Sequence, residues 1–307
     1  MKLVEQSYKI VEQEPGTQGI YRAIEQAGRT CYKSEDKITD TSADEFVKRM
    51  INSKHYAMLE FGTVYLKCPI ELYYTENETI EETANGLSEY LYNPYSIGIE
   101  VWNADNSRKG YCYVTTNLRV LVENDWLYDL KYLCVPTEFH KKRVCVKFVC
   151  DRGVSHELVR HRPFSYAQES TRYCNYSKDK FCNQLTFIIP SFLSKTELIK
   201  YFGDIENLGY DKDIHKFQTS EWSNAGNFLQ SIAWSEANYL TLIHNKLTPQ
   251  EARAVLPNCL KTEINMCGFI SDWEHVFELR DNSHAHPDMQ VLMKPLHEEF
   301  KKKFKIK

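Results

Sequence analysis

Hydrophobic and polar positions repeat with two different periods along this chain, and the switches between them mark out its elements. Thr17 to Tyr32 and Ser42 to Ser53 carry helical spacing and are predicted helices. Leu59 to Ile70 follows as a strand, with Val64 and Leu66 facing away from Thr63, Tyr65 and Lys67. From Glu71 to Lys142 the pattern gives way to Asn- and Tyr-rich sequence, read as irregular with one helix around Leu118 to Leu130. Arg143 to Cys150 is a second alternating strand, built on Val144, Val146 and Phe148. Asp151-Arg152-Gly153 turns the chain out of it, and Val154 to Arg162 is predicted helical until Pro163 stops it.

The second half of the chain continues the interleaving. Leu185 to Ile189 is a short apolar strand, and a long helix is predicted from Ser220 to Asn245. Thr248-Pro249-Gln250-Glu251 reads as a capping box with proline at the first helical position. Ser271-Asp272-Trp273-Glu274 repeats that logic before a helix ending near Arg280, and a last helix spans Pro287 to Phe304. No internal repeat or low-complexity linker interrupts the series. Strands interleaved with helices predict one α+β domain over residues 1–307.

Composition narrows the class. Hydrophobic residues make up 42% and charged residues 26% of the 307, ordinary for a soluble folded chain whose core needs no metal or disulfide staple. Lys plus Arg is 38 against 42 Asp plus Glu, so the net charge is −4. A mildly acidic chain has no global attraction to nucleic acid, and any anion must meet a local basic cluster. The N-terminus has no apolar signal core, and no run is long enough to span a membrane. The ten cysteines are scattered without a C-x-x-C, which fits free thiols in a reducing cytoplasm. The lysine-rich tail, Lys301 to Lys307, is either a solvated helix end or a weak anion patch.

The chemistry concentrates in one place. Residues 160–172 pack three arginines, one histidine and two serines into thirteen positions. Arginine forks bind phosphate oxygens bidentately and never lose their charge, and a neighbouring serine adds a neutral donor. The segment suits a mononucleotide phosphate or a flavin pyrophosphate; the plainer alternative is a charged helix end paired to Glu157 and Glu169. Its spacing, Arg160-His161-Arg162, seven residues, Ser170, one residue, Arg172, resembles the motif of the flavin-dependent thymidylate synthases. Ala252-Arg253-Ala254-Val255-Leu256-Pro257, Trp273 to Arg280 and Ser283-His284-Ala285 resemble further stretches of that family, as do His55 and Glu60 upstream. The resemblance covers about residues 40–70 and 143–300. Ala57, Glu157, Ala167, Phe269, Ser271 and His286 depart from the residues usual at those positions.

The resemblance implies a particular fold and reaction. It implies a mixed or antiparallel sheet covered by helices; residues 71–142, longer than compact family members allow, are read as an insertion between two sheet strands. It implies conversion of dUMP to dTMP, with 5,10-methylenetetrahydrofolate as carbon donor and NADPH as reductant through FAD, in a homotetramer. Glu157, Arg160, Gln168, Glu169, Ser170, Thr171, Arg172 and Arg253 then fall to dUMP, and Arg280 polarises the uracil ring. His55, Ala57, Arg160, His161, Arg162, Gln168, Phe269, Ser271, His275 and His284 fall to FAD. No cysteine is expected as nucleophile, although Cys267 lies within the matched stretches.

Two rival readings fit less well. His156 and His161 are five apart, about 500° around a helix, so they diverge by about 140° and do not form a zinc-protease pair. His284, His286 and Asp288 could bind a metal, but they also suit a helix entry. No glycine-rich dinucleotide loop, phosphate loop or nucleophile elbow occurs. An RNA-binding module built on the arginines and Tyr166, Tyr173 and Tyr176 conflicts with the acidic balance.

Overall fold

The computed structural model describes residues 1–74, 80–84, 88–104, 109–206, 208 and 223–306. Two short strands open the chain, β1 (Lys2–Val4) and β2 (Ser7–Val11). Helices α1 (Gly16–Tyr32) and α2 (Ser42–Asn52) follow, then a 3-10 turn over Tyr56–Phe61 and strand β3 (Thr63–Tyr74). Next come β4 (Ile80–Ala84), α3 (Ser88–Tyr92), β5 (Ile97–Trp102), β6 (Lys109–Asn117) and α4 (Leu118–Glu123). Strand β7 (Arg143–Asp151) leads into α5 (Arg152–Leu158), β8 (Ser165–Gln168), β9 (Thr186–Ile188) and α6 (Lys195–Phe202). The chain closes with α7 (Asn224–His244), α8 (Pro249–Ala252), β10 (Lys261–Phe269), α9 (Ile270–Arg280) and α10 (Pro287–Phe304).

Two antiparallel four-stranded sheets organise these elements. The central one runs β2-β7-β10-β8 and the second runs β4-β3-β6-β5, while β1 and β9 form a separate parallel pair. One face of the central sheet is apolar. Val146, Phe148, Ile264 and Met266 pack there against Trp273, Phe277, Leu292 and Phe300 of α9 and α10. The Trp273 indole N–H donates to Val144 O at 3.1 Å, so its polar edge is satisfied at no cost to the packing. The other face lies under α1, where Ala167 and Cys267 join the core of α1, α2 and β3. Gly268 is required by a close approach: a Cβ there would stand 2.6 Å from the Phe164 ring, which leads the chain from α5 into β8.

The α+β class and the open antiparallel sheets agree with the expectation, and most helices fall where periodicity put them. Thr248 caps α8 as predicted, with Glu251 accepting from its backbone N–H at 2.8 Å. The start of the predicted 220–245 helix lies outside the described residues. Other expectations are corrected. The described residues of 71–142 are not irregular: they carry the end of β3 and all of β4, β5 and β6, where β-branched and aromatic residues outweigh the asparagines. The helix expected to Leu130 stops at Glu123, because Asp125 takes a left-handed φ of 61° and a 3-10 turn follows over Leu127–Tyr132.

The largest omission is β10, the central strand itself. Thr262, Glu263 and Asn265 are buried within it, so the period-two signal is erased. Those polar groups are satisfied across the sheet. Glu263 meets Lys147 at 2.6 Å, Lys33 at 2.7 Å and Lys261 at 2.5 Å, and Asn265 donates to Thr30 Oγ1 at 3.1 Å. Strands β1 and β2 were also missed; each is short and pairs with a distant partner. The stretch after Pro163 contains a further strand without a period-two signal, β8, whose four residues pair with Ile264 to Cys267. The preceding helix ends at Leu158 rather than Arg162. Helix α9 starts at Ile270, and Asp272 closes its first turn by accepting the Phe269 backbone N–H at 3.2 Å, so the cap differs from the one predicted.

Candidate active site

The segment after α5 connects three neighbouring features. The first is an arginine held by two residues of the motif region. Arg280, the last residue of α9, donates through Nη1 to Glu157 Oε2 at 2.6 Å and through Nε to His161 Nε2 at 3.1 Å. Its Nη2 also points at Glu157 O, 3.4 Å away. A ring nitrogen that accepts from a guanidinium must be unprotonated, so His161 carries its proton on Nδ1. Burial, reinforced by Arg280 and then His275, pushes the His161 imidazole down to about 4, in agreement with that tautomer. Trp273, Val276 and Phe277 on the same helix are buried, and they hold Arg280 at the margin of the apolar face. Tyr166 Oη lies 2.7 Å from both Leu158 O and His161 O and ties the turn between them to β8.

A cleft of about 750 Å³ between α1, α2 and the end of β8 is the second feature. His55, Gln168 and Ser170 all line it, so a residue ahead of β3 meets two from the motif. Lys37, Arg49 and Lys180 outnumber Asp36 and make its rim basic, and Tyr32 and Tyr173 stand together there with ring centroids 5.0 Å apart. The Arg172 guanidinium lies over the Tyr173 ring at 5.4 Å. Neighbouring residues are sorted to opposite sides of the sheet. The Gln168 amide donates to Ser155 Oγ at 2.8 Å and Thr262 Oγ1 at 3.2 Å, on the α5 side. Glu169 is buried on the α1 side, with Lys261 at 2.9 Å on one oxygen and the Tyr176 hydroxyl at 3.0 Å on the other. The Glu169 carboxylate is thereby committed to the scaffold, and Thr171 is also buried.

The third feature is a cleft of about 470 Å³ where the second sheet meets the motif. Arg162, Phe269 and Ser271 line it together with Glu60, Arg119, Arg143 and Ser165. Arg143 donates to Glu60 O at 3.0 Å and reaches Ser165 Oγ at 3.4 Å, while Arg119 pairs with Glu60 at 2.5 Å. Sequence reasoning missed Arg119, Arg143, Arg49 and Lys180, which stand outside the motif and carry no local spacing signal.

The remaining predicted residues are not gathered into these features. Ala57, Arg160 and Arg253 are exposed and line neither cleft. His275 is exposed beside Glu278 at 3.4 Å, and His284 is exposed with its backbone N–H on Asn282 Oδ1. His286 caps α10 by accepting the Asp288 N–H at 3.2 Å, which is the helix-entry role. Among the described residues no three His, Cys, Asp or Glu side chains cluster as metal ligands, and no helix is long and apolar enough to cross a membrane.

Comparison with known proteins adds an independent line. The family model of the thymidylate synthase complementing protein matches residues 136–304, more than half of the chain. A flavin-dependent thymidylate synthase of Corynebacterium glutamicum is 30% identical over 134 residues, covering 44% of this chain and 47% of the relative. One from Corynebacterium efficiens is 32% identical over 142 residues, covering 46% and 50%. The chain thus spans about half the length of the curated relatives it matches. A crystal structure of a UMP/dUMP methylase PolB from Streptomyces cacaoi, bound with 5-Br dUMP, aligns over 98% of this chain and 93% of its own. Its TM-score is 0.40 at 12% identity, too low to bear on function.

Proposed function

This chain belongs to the thymidylate synthase complementing protein family, the flavin-dependent thymidylate synthases, and on that premise we propose that it converts dUMP to dTMP. The observation that carries the reading is the way the segment 157–172 is built. It anchors Arg280 at one end and lines a basic cleft with Ser170 at the other, beside His55. In this reading Ser170 and Arg172 hold the dUMP phosphate, with Arg160 and Arg253 as further contacts. The planar fork of Arg280, fixed by Glu157 and by a neutral His161, faces the uracil carbonyl and stabilises negative charge developing on the ring. Glu157 neutralises Arg280 in part, which keeps the arginine oriented rather than free to leave for solvent.

The residues present fit a flavin. Arg162, Arg143, Ser165 and Ser271 are donors suited to its phosphates, and Phe269 gives an apolar wall. When bound, FAD supplies the redox chemistry, with NADPH as reductant and 5,10-methylenetetrahydrofolate as carbon donor. Arg160, Arg253, His275 and His284 are exposed outside both clefts, which suits sites completed by other subunits of a homotetramer. The purified protein is expected to absorb near ~370 and ~450 nm, the bands of bound oxidised flavin. It should form dTMP when dUMP, methylenetetrahydrofolate and NADPH are supplied together. A preparation that stays colourless and inactive after incubation with excess FAD would end this reading.

A further inference from the structure

Strands β7 and β10 place two thiols directly opposite one another, Cys145 and Cys267. The kind of pairing at that position follows from the register. The Ile270 N–H donates to Lys142 O at 3.0 Å, which makes residues 270 and 142 a hydrogen-bonded pair of the antiparallel ladder. Stepping down both strands from it, positions alternate, and 267 with 145 falls on a non-hydrogen-bonded pair. Such pairs bring Cα atoms to about 4.5 Å with side chains at their closest, inside the about 4.4–6.8 Å range a disulfide spans. Both residues lie on the α1 face, and both line a cavity of about 310 Å³ together with Thr63, Tyr65 and Arg143.

We propose that Cys145 and Cys267 form an oxidisable dithiol, which hydrogen peroxide entering this cavity converts to a cross-strand disulfide. The electrostatics divide the roles. A hydrogen bond from the Cys145 thiol, helped by Arg143 against the cost of burial, lowers the Cys267 thiol below its ordinary value. Cys145, the donor in that bond, is held protonated. Burial raises Cys31, Cys174 and Cys259 instead, to about 11, 12 and 12.

The step balances with peroxide as the sole oxidant. The Cys267 thiolate attacks one peroxide oxygen, the O–O bond breaks, and the departing hydroxide takes up a proton to become water. The Cys145 sulfur then attacks the Cys267 sulfenic sulfur. The S–S bond forms as the S–O bond breaks, and the hydroxide released takes the Cys145 proton to give a second water. Two thiols are oxidised and one peroxide is reduced to two waters.

The test uses the full chain and a mass readout, so it does not depend on the proposed reaction. Mild peroxide treatment should take about 2 Da from the intact protein before alkylation, the two hydrogens given up per S–S bond, and alkylation should then leave these two thiols unlabelled. Its digest should contain a peptide linking Cys145 to Cys267, which dithiothreitol removes. In Cys145→Ser the link should vanish and dimedone should label Cys267; in Cys267→Ser both link and label should vanish. The wild-type map decides the matter even if Cys267→Ser does not fold. Full alkylation of both thiols under conditions that oxidise the exposed Cys182 would overturn the proposal, as would a link from either to a different cysteine.

Discussion

The two faces of the central sheet are held by different physics. Under α9 and α10, Phe148, Ile264, Met266, Trp273, Phe277 and Phe300 are buried together, and the cohesion is apolar. Under α1, the same strands present Lys147, Lys261, Glu263 and Asn265, joined by Lys33 and by Glu169 from the end of β8. The apolar face positions Arg280 by packing the helix that ends on it. The charged face positions Ser170 by fixing its neighbour Glu169. One sheet thus supports both ends of the motif with forces that respond differently to pH and to substitution, and this difference can be tested.

The largest effect is expected from removing the hub of the charged face. Glu263→Ala leaves Lys33, Lys147 and Lys261 without their shared partner, and breaking a buried ion pair on one side costs about 3–5 kcal/mol. Trp273→Ala on the apolar face should cost a similar amount, about 3–5 kcal/mol. Acid separates them. Burial disfavours the Glu263 carboxylate, but Lys261 and then Lys33 outweigh it and hold the group well below the usual range. A depressed folded value means the stability is present above the unfolded value, about 4.3 for glutamate, and is lost as pH falls below it. Urea unfolding of the wild type and Trp273→Ala should therefore weaken steeply below about pH 4.3, and Glu263→Gln should weaken less. Equal slopes for wild type and Glu263→Gln would show that the charged face is not held by Glu263.

At the margin of the apolar face, Arg280→Lys is expected to retain fold and flavin and to lose roughly 10²–10³-fold in dTMP turnover, the scale for one preorganised donor. Lysine keeps the charge, yet one ammonium cannot reproduce separate Nε and Nη1 bonds to His161 and Glu157. NADPH oxidation and dTMP formation should be followed on the same preparation, and turnover within about twofold of wild type would assign Arg280 to the scaffold alone. Beyond the charged face, Arg172→Ala should weaken dUMP binding by roughly 10- to 150-fold, one charge-assisted hydrogen bond to phosphate. Calorimetric titration with unchanged affinity would take Arg172 out of the site and leave it only as a partner of Tyr173.

What was legible in the sequence follows the same division. Where a strand has one apolar and one half-solvated side, as in β3 and β7, periodicity located it. Where polar groups are buried and mutually satisfied, as in β10, periodicity had nothing to read, since Glu263 and Asn265 look like surface residues until Lys33, Lys147 and Thr30 arrive from elsewhere. The motif was visible because residues 160–172 are contiguous, whereas only the fold brings His55 to the cleft that Gln168 and Ser170 line. Glu169 shows the limit. It sits inside the motif, but its carboxylate is turned to Lys261 and Tyr176, partners far away in sequence or on the far side of a turn. Arg143 and Arg49 show the converse, being brought beside the motif by β7 and α2 with no local signature.

The smallest effect sets a matched pair across the sheet. Ile264→Val deletes one methyl from the apolar face, and such a change costs about 0.5–1.5 kcal/mol. Thr30→Val on the other face keeps shape but removes the acceptor of the Asn265 amide, a bond between buried groups. Leaving that amide unsatisfied costs about 1–3 kcal/mol. Both residues are remote from the ionisable network in charge terms, so neither variant should change the acid slope of unfolding. They should differ in function. Ile264 pairs with Gln168 in the ladder, on the face that carries Thr262 and α9, and the smaller side chain leaves those backbone bonds intact. Thr30 is one residue from Cys31, whose carbonyl accepts the Ser170 N–H at 3.0 Å and so fixes the position of Ser170 at the cleft. Ile264→Val should accordingly leave dUMP affinity within about twofold, while Thr30→Val should weaken it by a few-fold, about 1 kcal/mol. If both variants shift stability alike and dUMP affinity not at all, the α1 face serves stability only, and Ser170 is positioned by β8 without help from α1.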